Sequence, residues 1–153
     1  MPTEPTYLIV GASLTGAKAA ETLRSEGFGG PVILLGTETE RPYERPPLSK
    51  GYLLGKEDKT VIYVHGEAWY ADHDVDLRLG VTVTAVDPAG RTVTTADGET
   101  VGYDRLLLTT GASPRQLTIP GAEREGVMYL RTVGDSERLA AAFAPARLAP
   151  TIR

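Results

Sequence analysis

The sequence predicts an α/β fold in which a parallel sheet carries helices and is joined by a three-stranded antiparallel meander. A short apolar run, Tyr7–Val10, ends at a glycine and is followed by a helical pattern and a second apolar run at Val32–Leu35. Three β-type segments separated by turn sequences come later, and a further apolar strand follows them. Strand, helix and strand within about 30 residues form a βαβ unit with parallel strands and a right-handed crossover.

The elements of the first half follow from apolar patterning and from glycine and proline. Continuous apolar runs such as Tyr7–Val10 are typical of strands buried on both faces of a parallel sheet. Alanines give the helix over Leu14–Arg24 a small-residue face, and glycines and a proline at 27–31 end it. A loop follows over Thr37–Pro47. We then expect short helices over Leu48–Leu54 and Gly66–His73, and a strand at Val75–Leu79.

The second half is dominated by hairpin signals. Pro-Ala-Gly and Ala-Asp-Gly-Glu turns separate the three strands of the expected meander, Val81–Asp87, Arg91–Thr95 and Thr100–Tyr103. Asp104–Thr110 has the composition of a third buried strand. Thr132–Asp135 resembles a capping box that opens a helix over Ser136–Phe143.

Composition excludes several classes of function. The chain has 153 residues, the size of one domain, and a net charge of −4, which argues against nucleic-acid binding. Its longest apolar runs are too short to span a membrane, and Met1–Thr6 lacks the pattern of a signal peptide, so we expect a cytoplasmic protein. There are no cysteines and only two histidines, which argues against a metal site and a redox-active disulfide. Any redox chemistry therefore requires a bound cofactor.

The turn after the first strand predicts a dinucleotide-binding site. Gly11-Ala-Ser13-Leu14-Thr15-Gly16 lies between strand and helix, where backbone N–H groups can bind a pyrophosphate. Gly11 permits the tight turn, and Gly16 lets the helix lie close to the strand. Ser13 replaces the middle glycine of the usual GxGxxG pattern and offers a hydroxyl to phosphate. The alternative is that the glycines serve only packing.

The end of the second strand usually carries an acidic residue for the ribose hydroxyls of the nucleotide. Here Gly36 is followed by Thr37 and then Glu38. Either side chain can hydrogen-bond to a hydroxyl. The alternative for Glu38 is a solvated surface carboxylate.

Three longer motifs carry a family resemblance. They are Arg41-Pro-Tyr-Glu-Arg-Pro-Pro-Leu-Ser-Lys50-Gly-Tyr-Leu, Tyr103-Asp-Arg-Leu-Leu-Leu-Thr-Thr-Gly-Ala-Ser-Pro-Arg115 and Tyr129-Leu-Arg-Thr132. In this order they resemble the ferredoxin-reductase-like flavoproteins, which include rubredoxin, putidaredoxin and biphenyl-dioxygenase ferredoxin reductases. The resemblance covers the chain from about Tyr7 to Phe143. It implies a Rossmann-like FAD-binding domain in an enzyme whose flavin takes hydride from NAD(P)H and passes single electrons to a small iron–sulfur protein.

The resemblance also implies roles for individual residues. Lys50 would be the catalytic residue, near the reactive end of the isoalloxazine, where a cation stabilises the negative charge of the reduced ring. The implied FAD contacts are Gly11, Ser13, Leu14, Thr15 and Gly16 at the pyrophosphate, Thr37 or Glu38 at the ribose, Arg45 and Pro46 along the cofactor, Val83 at the adenine, Thr110, Gly111 and Ala112 after the third strand, and Arg131.

Several of these residues have a plainer interpretation. Arg41, Arg45 and Lys50 fit an ordinary solvated basic loop, and Pro46-Pro47 fits a stiff turn. Aromatic residues near the middle of the chain fit core packing better than flavin stacking, and we expect no chemical role for either histidine; these residues are Tyr63, Trp69, Tyr70, His65 and His73.

The end of the chain departs from the family pattern. No glycine follows Gly134, so we expect a second nucleotide-binding turn, for NAD(P)H, to be absent and the fold to be incomplete relative to the two-dinucleotide-domain family. We expect residues 1–115 to be the first segment of an FAD-binding domain, 116–144 a connecting segment toward an absent NAD(P)-binding domain, and 145–153 a divergent tail. Exposed apolar surface, self-association and weakened FAD affinity would follow.

Two other functions remain open at this point. One is a non-catalytic FAD-binding remnant or partner subunit. The other is a stand-alone NAD-binding Rossmann domain, and the motif from Arg45 to Lys50 argues against it. The sequence leaves undecided the physiological electron acceptor, the preference for NADH or NADPH, and the oligomeric state.

Overall fold

The computed structural model describes residues 4–143, so the expected tail at 145–153 lies outside the described residues. Contacts divide the chain into two compact units: the first contains residues 4–43 and 63–111, and the second contains 44–62 and 112–143. The strands are β1 (Tyr7–Val10), β2 (Val32–Gly36), β3 (Val75–Leu79), β4 (Val83–Asp87), β5 (Thr92–Thr95), β6 (Thr100–Gly102) and β7 (Arg105–Leu108). The helices are α1 (Leu14–Ser25), α2 (Trp69–Asp72) and α3 (Val133–Ala142), with 3-10 helices at Pro46–Ser49 and Lys59–Ile62.

The first unit is built on a four-stranded sheet in the order β3-β2-β1-β7. Every neighbouring pair in it is parallel, and Tyr7 is in register with Val32 on one side and Arg105 on the other. This confirms the predicted parallel sheet. The three-stranded antiparallel meander is also confirmed, in the order β4-β5-β6.

Both faces of the parallel sheet are covered within the first unit. Alternate residues of β1 point to opposite faces, so Ile9 packs in one core cluster and Leu8 in another. The first cluster includes Ala20 of α1, and the second includes Val93 and Val101 of the meander. Burial on both faces explains why β1 is a continuous apolar run.

Strand β7 differs from its prediction. The apolar composition of Asp104–Thr110 indicated a buried strand, but Leu107 is 43% exposed and Leu108 is 57% exposed. The physical reason is position: β7 is an edge strand of the sheet over the described residues, with β1 on one side only.

Two short helices also differ from their predictions. The helix expected over Leu48–Leu54 is instead a 3-10 helix at Pro46–Ser49 followed by turns. The two prolines occupy the first two positions, where a missing N–H group costs no intrahelical hydrogen bond, and the helix ends because Lys50, before Gly51, has non-helical backbone angles (φ −133°, ψ −117°). Helix α2 begins only at Trp69, later than the expected Gly66.

The capping box predicted at Thr132–Asp135 is confirmed. The Thr132 side chain accepts a hydrogen bond from the Asp135 amide, and the Asp135 carboxylate accepts one from the Thr132 amide. Because Val133, Gly134 and Asp135 form the first turn, α3 begins at Val133, earlier than the expected Ser136.

The first unit contains a stack of three rings. Trp69 lies between the two histidines, with ring centroids 3.8 Å from His65 and 4.4 Å from His73. Tyr70 belongs to the first core cluster and Trp69 packs against it, as the packing interpretation predicted. Burial lowers the pKa of His65; Glu21, with an oxygen 3.4 Å from Nε2, opposes this effect, while Lys18 and His73 add to it.

The His65 site makes stability depend on pH. With its folded pKa below the usual 6.5, the folded chain binds fewer protons than the unfolded chain in mildly acidic solution. The free energy of unfolding should therefore be highest above about pH 6.5 and fall as the pH decreases below it. Urea unfolding between pH 5 and pH 8, followed by Trp69 fluorescence, measures this.

His65→Gln should remove much of this pH dependence, and His73→Gln is the matched control. The His73 ring also stacks on Trp69, so both variants change the fluorescence, but only the first removes the buried titrating ring. An unchanged pH profile in His65→Gln would contradict this assignment.

Candidate functional site

The strand order places a crevice at the carboxyl end of β1. From β1 the chain builds outward through β2 and β3, and it returns to the other side of β1 only with β7. Ligands of parallel α/β sheets bind at such a reversal, outside the carboxyl ends of the strands. Gly11 directly follows β1 at this point, and Thr109 directly follows β7.

Gly11 and Thr109 approach each other too closely for any larger residue at position 11. Gly11 has φ of +117°, and a Cβ atom placed on it would lie 2.2 Å from the carbonyl oxygen of Thr109. The Thr109 hydroxyl donates a hydrogen bond to the carbonyl oxygen of Gly11 at 2.9 Å. The turn is therefore fixed against the end of β7.

Gly16 meets the same turn from inside α1. A Cβ atom on Gly16 would lie 2.2 Å from the carbonyl oxygen of Gly11. This is the close approach of helix and strand for which the sequence predicted a glycine. The packing role of both glycines is thus clear, and it also brings the first turn of α1 against the end of the sheet.

The N-terminus of α1 is left without a side-chain cap. Within the described residues, Ser13 occupies the cap position but its hydroxyl makes no capping hydrogen bond, and the first turn contains no acidic residue. The first N–H groups of a helix have no partner in the helix itself and carry the positive end of its dipole. The Ser13 amide donates to the carbonyl oxygen of Gly11 at 2.9 Å, so the amides of Leu14 and Thr15 are the ones that present donors to an external anion.

Helix α3 provides an internal comparison, because its N-terminus is closed by its own residues. Burial acts to raise the pKa of the Asp135 carboxyl, but hydrogen bonds from Thr132 and Arg131 outweigh it and the pKa lies below its usual value. A charged carboxylate thus occupies the place of an anion. Only α1, of these two helices, has an N-terminus suited to phosphate.

The predicted ribose residues lie just after β2. Thr37 is exposed, whereas Glu38 is half-buried and accepts a hydrogen bond from the Tyr43 hydroxyl at 2.5 Å. Glu38 is thus held in place and is not a freely solvated carboxylate. A carboxylate has further acceptor positions for a sugar hydroxyl. Val83, half-buried, begins β4 and packs against the second core cluster.

The basic residues predicted along the cofactor differ in burial. Arg41, in the first unit, is half-buried: its guanidinium lies 4.0 Å from the ring centroid of Tyr63 and donates to the His65 carbonyl oxygen. The solvated-loop interpretation is therefore wrong for Arg41. Lys50, in the second unit, has an exposed side chain, and Pro46 is exposed as well.

Arg45 and Arg131 are brought together in the second unit. The Arg45 guanidinium donates to the carbonyl oxygen of Arg131, and both residues line a cavity of about 140 Å³ with Leu48, Ser49 and Leu130. The Nε atom of Arg131 is buried and has no hydrogen-bond partner among the described residues. A guanidinium stays charged at any ordinary pH, so this N–H points to an anionic or polar ligand.

The remaining predicted residues follow β7. Thr110 and Gly111 end the first unit, Ala112 begins the second segment of the other unit, and all three are exposed. Gly111 has φ of +73°, which accounts for a glycine in this turn.

Sequence reasoning missed Thr109 and Tyr43. Their signals were present as a hydroxyl residue at the end of the third apolar strand and as a tyrosine five positions after Glu38. Thr109 could not be assigned a partner because its contact with Gly11 joins residues 98 positions apart, and the Tyr43 contact depends on the path of the loop between Glu38 and Tyr43.

The family model described as pyridine nucleotide-disulphide oxidoreductase matches residues 5–149 of the chain. The chain belongs to this family. Members with similar sequences include a probable ferredoxin reductase of Castellaniella defragrans, 42% identical over 92% of this chain and 34% of the relative, and a rubredoxin-NAD(+) reductase of Pseudomonas putida, 39% identical over 86% and 34%. The chain spans about a third of the length of these relatives.

Two solved structures match a similar share of the chain. A putidaredoxin reductase in covalent complex with putidaredoxin superposes with a TM-score of 0.85 and 35% identity, over 91% of this chain and 34% of that one. A ferredoxin reductase from Rhodopseudomonas palustris has a TM-score of 0.85 and 36% identity, over 90% and 34%. The recognition of a ferredoxin-reductase-like oxidoreductase and its α/β fold is thereby confirmed.

Over residues 4–143, no helix is long and apolar enough to cross a membrane.

Proposed function

We propose that this chain binds FAD and forms the flavin-binding part of a reductase that uses NAD(P)H and an iron–sulfur protein. The observation that carries the proposal is the uncapped N-terminus of α1, set against Gly11 at the carboxyl end of β1. Donors, a positive helix end and space without a side chain are what a dinucleotide pyrophosphate requires. In this proposal residues 1–115 form the first segment of the FAD-binding domain.

The second unit supports FAD over a plain nicotinamide dinucleotide. Arg45, Lys50 and Arg131 are the residues that the family resemblance places along the cofactor. Two of them, Arg45 and Arg131, line one cavity, and the Nε atom of Arg131 is a buried donor without a partner among the described residues, which suits a phosphate or carbonyl oxygen as ligand. The stand-alone NAD-binding alternative gives these residues no role.

When bound, FAD would accept a hydride and release electrons one at a time. The role we propose for Lys50 is electrostatic: its exposed ammonium stabilises negative charge on the reduced ring. Glu38, held by Tyr43, would accept hydrogen bonds from the ribose hydroxyls. The Leu14 and Thr15 amides would donate to the pyrophosphate.

The electron acceptor is proposed from the relatives. One relative is named a rubredoxin-NAD(+) reductase and another a ferredoxin reductase, and a third was solved with putidaredoxin. A small iron–sulfur protein is therefore the partner class that we propose for a reductase that contains this chain.

Reduction of ferricyanide by NADH, with the purified chain and added FAD, tests the reductase part of the proposal. Turnover faster than with free FAD alone supports it. FAD binding without such turnover supports the alternative of a non-catalytic FAD-binding subunit.

A further inference from the structure

Ser136 is a polar side chain enclosed in the core of the second unit. It lies on α3 just after the capping box and has no exposed surface. Its hydroxyl donates a hydrogen bond of 2.8 Å to the carbonyl oxygen of Leu48, a residue 88 positions away. A buried hydroxyl without a partner is costly, so this bond is what makes serine acceptable at the position.

The bond gives a long-range donor to a carbonyl oxygen of the 3-10 helix at Pro46–Ser49. The carbonyl oxygens of Arg45 and Pro47 accept from the Leu48 and Lys50 amides, and that of Pro46 accepts from the Ser49 hydroxyl. These three bonds are local. The Leu48 carbonyl oxygen, in contrast, accepts from Ser136.

A second bond attaches the other end of the same segment to the start of α3. Arg45 donates to the carbonyl oxygen of Arg131, and the Arg131 and Thr132 amides both donate to the Asp135 carboxylate, at 3.0 and 2.7 Å. The N-terminal end of α3 and the residue before its cap thus hold the segment Arg45–Lys50 at two points, Ser136 and Arg131. The capping box keeps those two points fixed relative to each other.

We propose that Ser136 is a positioning residue that fixes Arg45–Lys50 in the geometry that FAD binding requires. The proposal rests on the proposed function, in which Arg45 and Lys50 contact FAD. Loss of the hydroxyl leaves the Leu48 carbonyl buried without its donor, and of the two bonds described above only that of Arg45 to Arg131 remains. Arg45 and Lys50 keep their chemistry but lose their fixed orientation.

A double-mutant cycle on FAD affinity separates positioning from a merely structural role. The four proteins are the wild-type chain, Ser136→Ala, Arg45→Gln and the double variant, each titrated with FAD and followed by flavin fluorescence. Each single variant should weaken binding about tenfold. If Ser136 acts through the segment Arg45–Lys50, the double variant should bind FAD only slightly less tightly than the weaker-binding single variant, because the two effects are not independent.

Amide exchange in the absence of FAD gives a readout independent of the ligand. Ser136→Ala should speed exchange at the Leu48 and Lys50 amides by about tenfold. Ser25→Ala is the matched control, because Ser25 is exposed on α1 and its hydroxyl bonds within its own helix to Thr22. It should change neither exchange at these amides nor FAD affinity.

Each outcome decides the proposal. If the losses of FAD affinity are independent, so that the double variant binds about a hundredfold more weakly than the wild type, Ser136 is not a positioning residue. A Ser136→Ala variant with wild-type affinity contradicts the proposal as well. If the wild-type chain does not bind FAD, the proposed function fails and this inference fails with it. If Ser136→Ala does not fold, Ser136→Cys, a weaker donor, takes its place in the cycle, with the same expected coupling to Arg45.

Discussion

Gly11→Ala should destabilise the first unit by about 3 to 5 kcal/mol, which is a large part of the stability of a typical domain. Two costs combine. The backbone at Gly11 has φ of +117°, a region that L-residues rarely adopt, and the new Cβ atom would lie 2.2 Å from the Thr109 carbonyl oxygen. Thr109 cannot move away freely, because its amide and hydroxyl are hydrogen-bonded at the end of β1. Urea unfolding followed by Trp69 fluorescence measures the change.

Gly27→Ala is the matched control for this substitution. Gly27 also has positive φ, +82°, but no atom lies within 4 Å of its Cβ position. It should cost only the conformational term, about 1 kcal/mol. Equal losses in the two variants would show that the contact with Thr109 contributes nothing, and would contradict the close approach at the turn.

Arg131→Gln should weaken FAD binding by about 10- to 100-fold, the effect of losing a hydrogen bond to a charged donor. The same variant should leave the stability of the FAD-free chain unchanged or slightly raised. The Nε atom of Arg131 is buried without a partner, so the wild-type residue bears a desolvation cost that no described contact offsets. A titration with FAD and a urea unfolding curve without FAD measure the two effects separately.

The opposite signs make this prediction specific. Arg124→Gln, an exposed arginine of the same unit, serves as control and should change neither quantity. A stability loss in Arg131→Gln together with unchanged FAD affinity would show that Arg131 is a structural residue and would remove it from the proposed site.

Local patterns were sufficient to predict the parallel sheet and the meander. Gly11 and Gly16 were also predictable, because a tight turn and a close helix–strand approach exclude other residue types. The capping box at Thr132–Asp135 was predictable for a different reason: its hydrogen bonds join residues three positions apart. Local hydrogen bonds of this kind are visible in sequence because they do not depend on the rest of the fold.

Long-range partners were not predictable. The exposure of Leu107 and Leu108 depends on which strands lie beside β7, and the role of Thr109 depends on β7 lying against β1. Ser136 reads as an ordinary helical serine until its partner, the Leu48 carbonyl oxygen, is known. Likewise, the lack of a partner for the Arg131 Nε atom results from packing in the folded chain, and no sequence motif predicts it.

The central claim is that this chain is an FAD-binding protein. Isothermal titration of the purified chain with FAD, and in parallel with NAD⁺, tests it most directly. The account predicts saturable binding of one FAD per chain, with NAD⁺ binding at least about tenfold more weakly because it has no flavin for the residues of the second unit to contact. NAD⁺ binding as tight as FAD, or no binding of FAD, would contradict it.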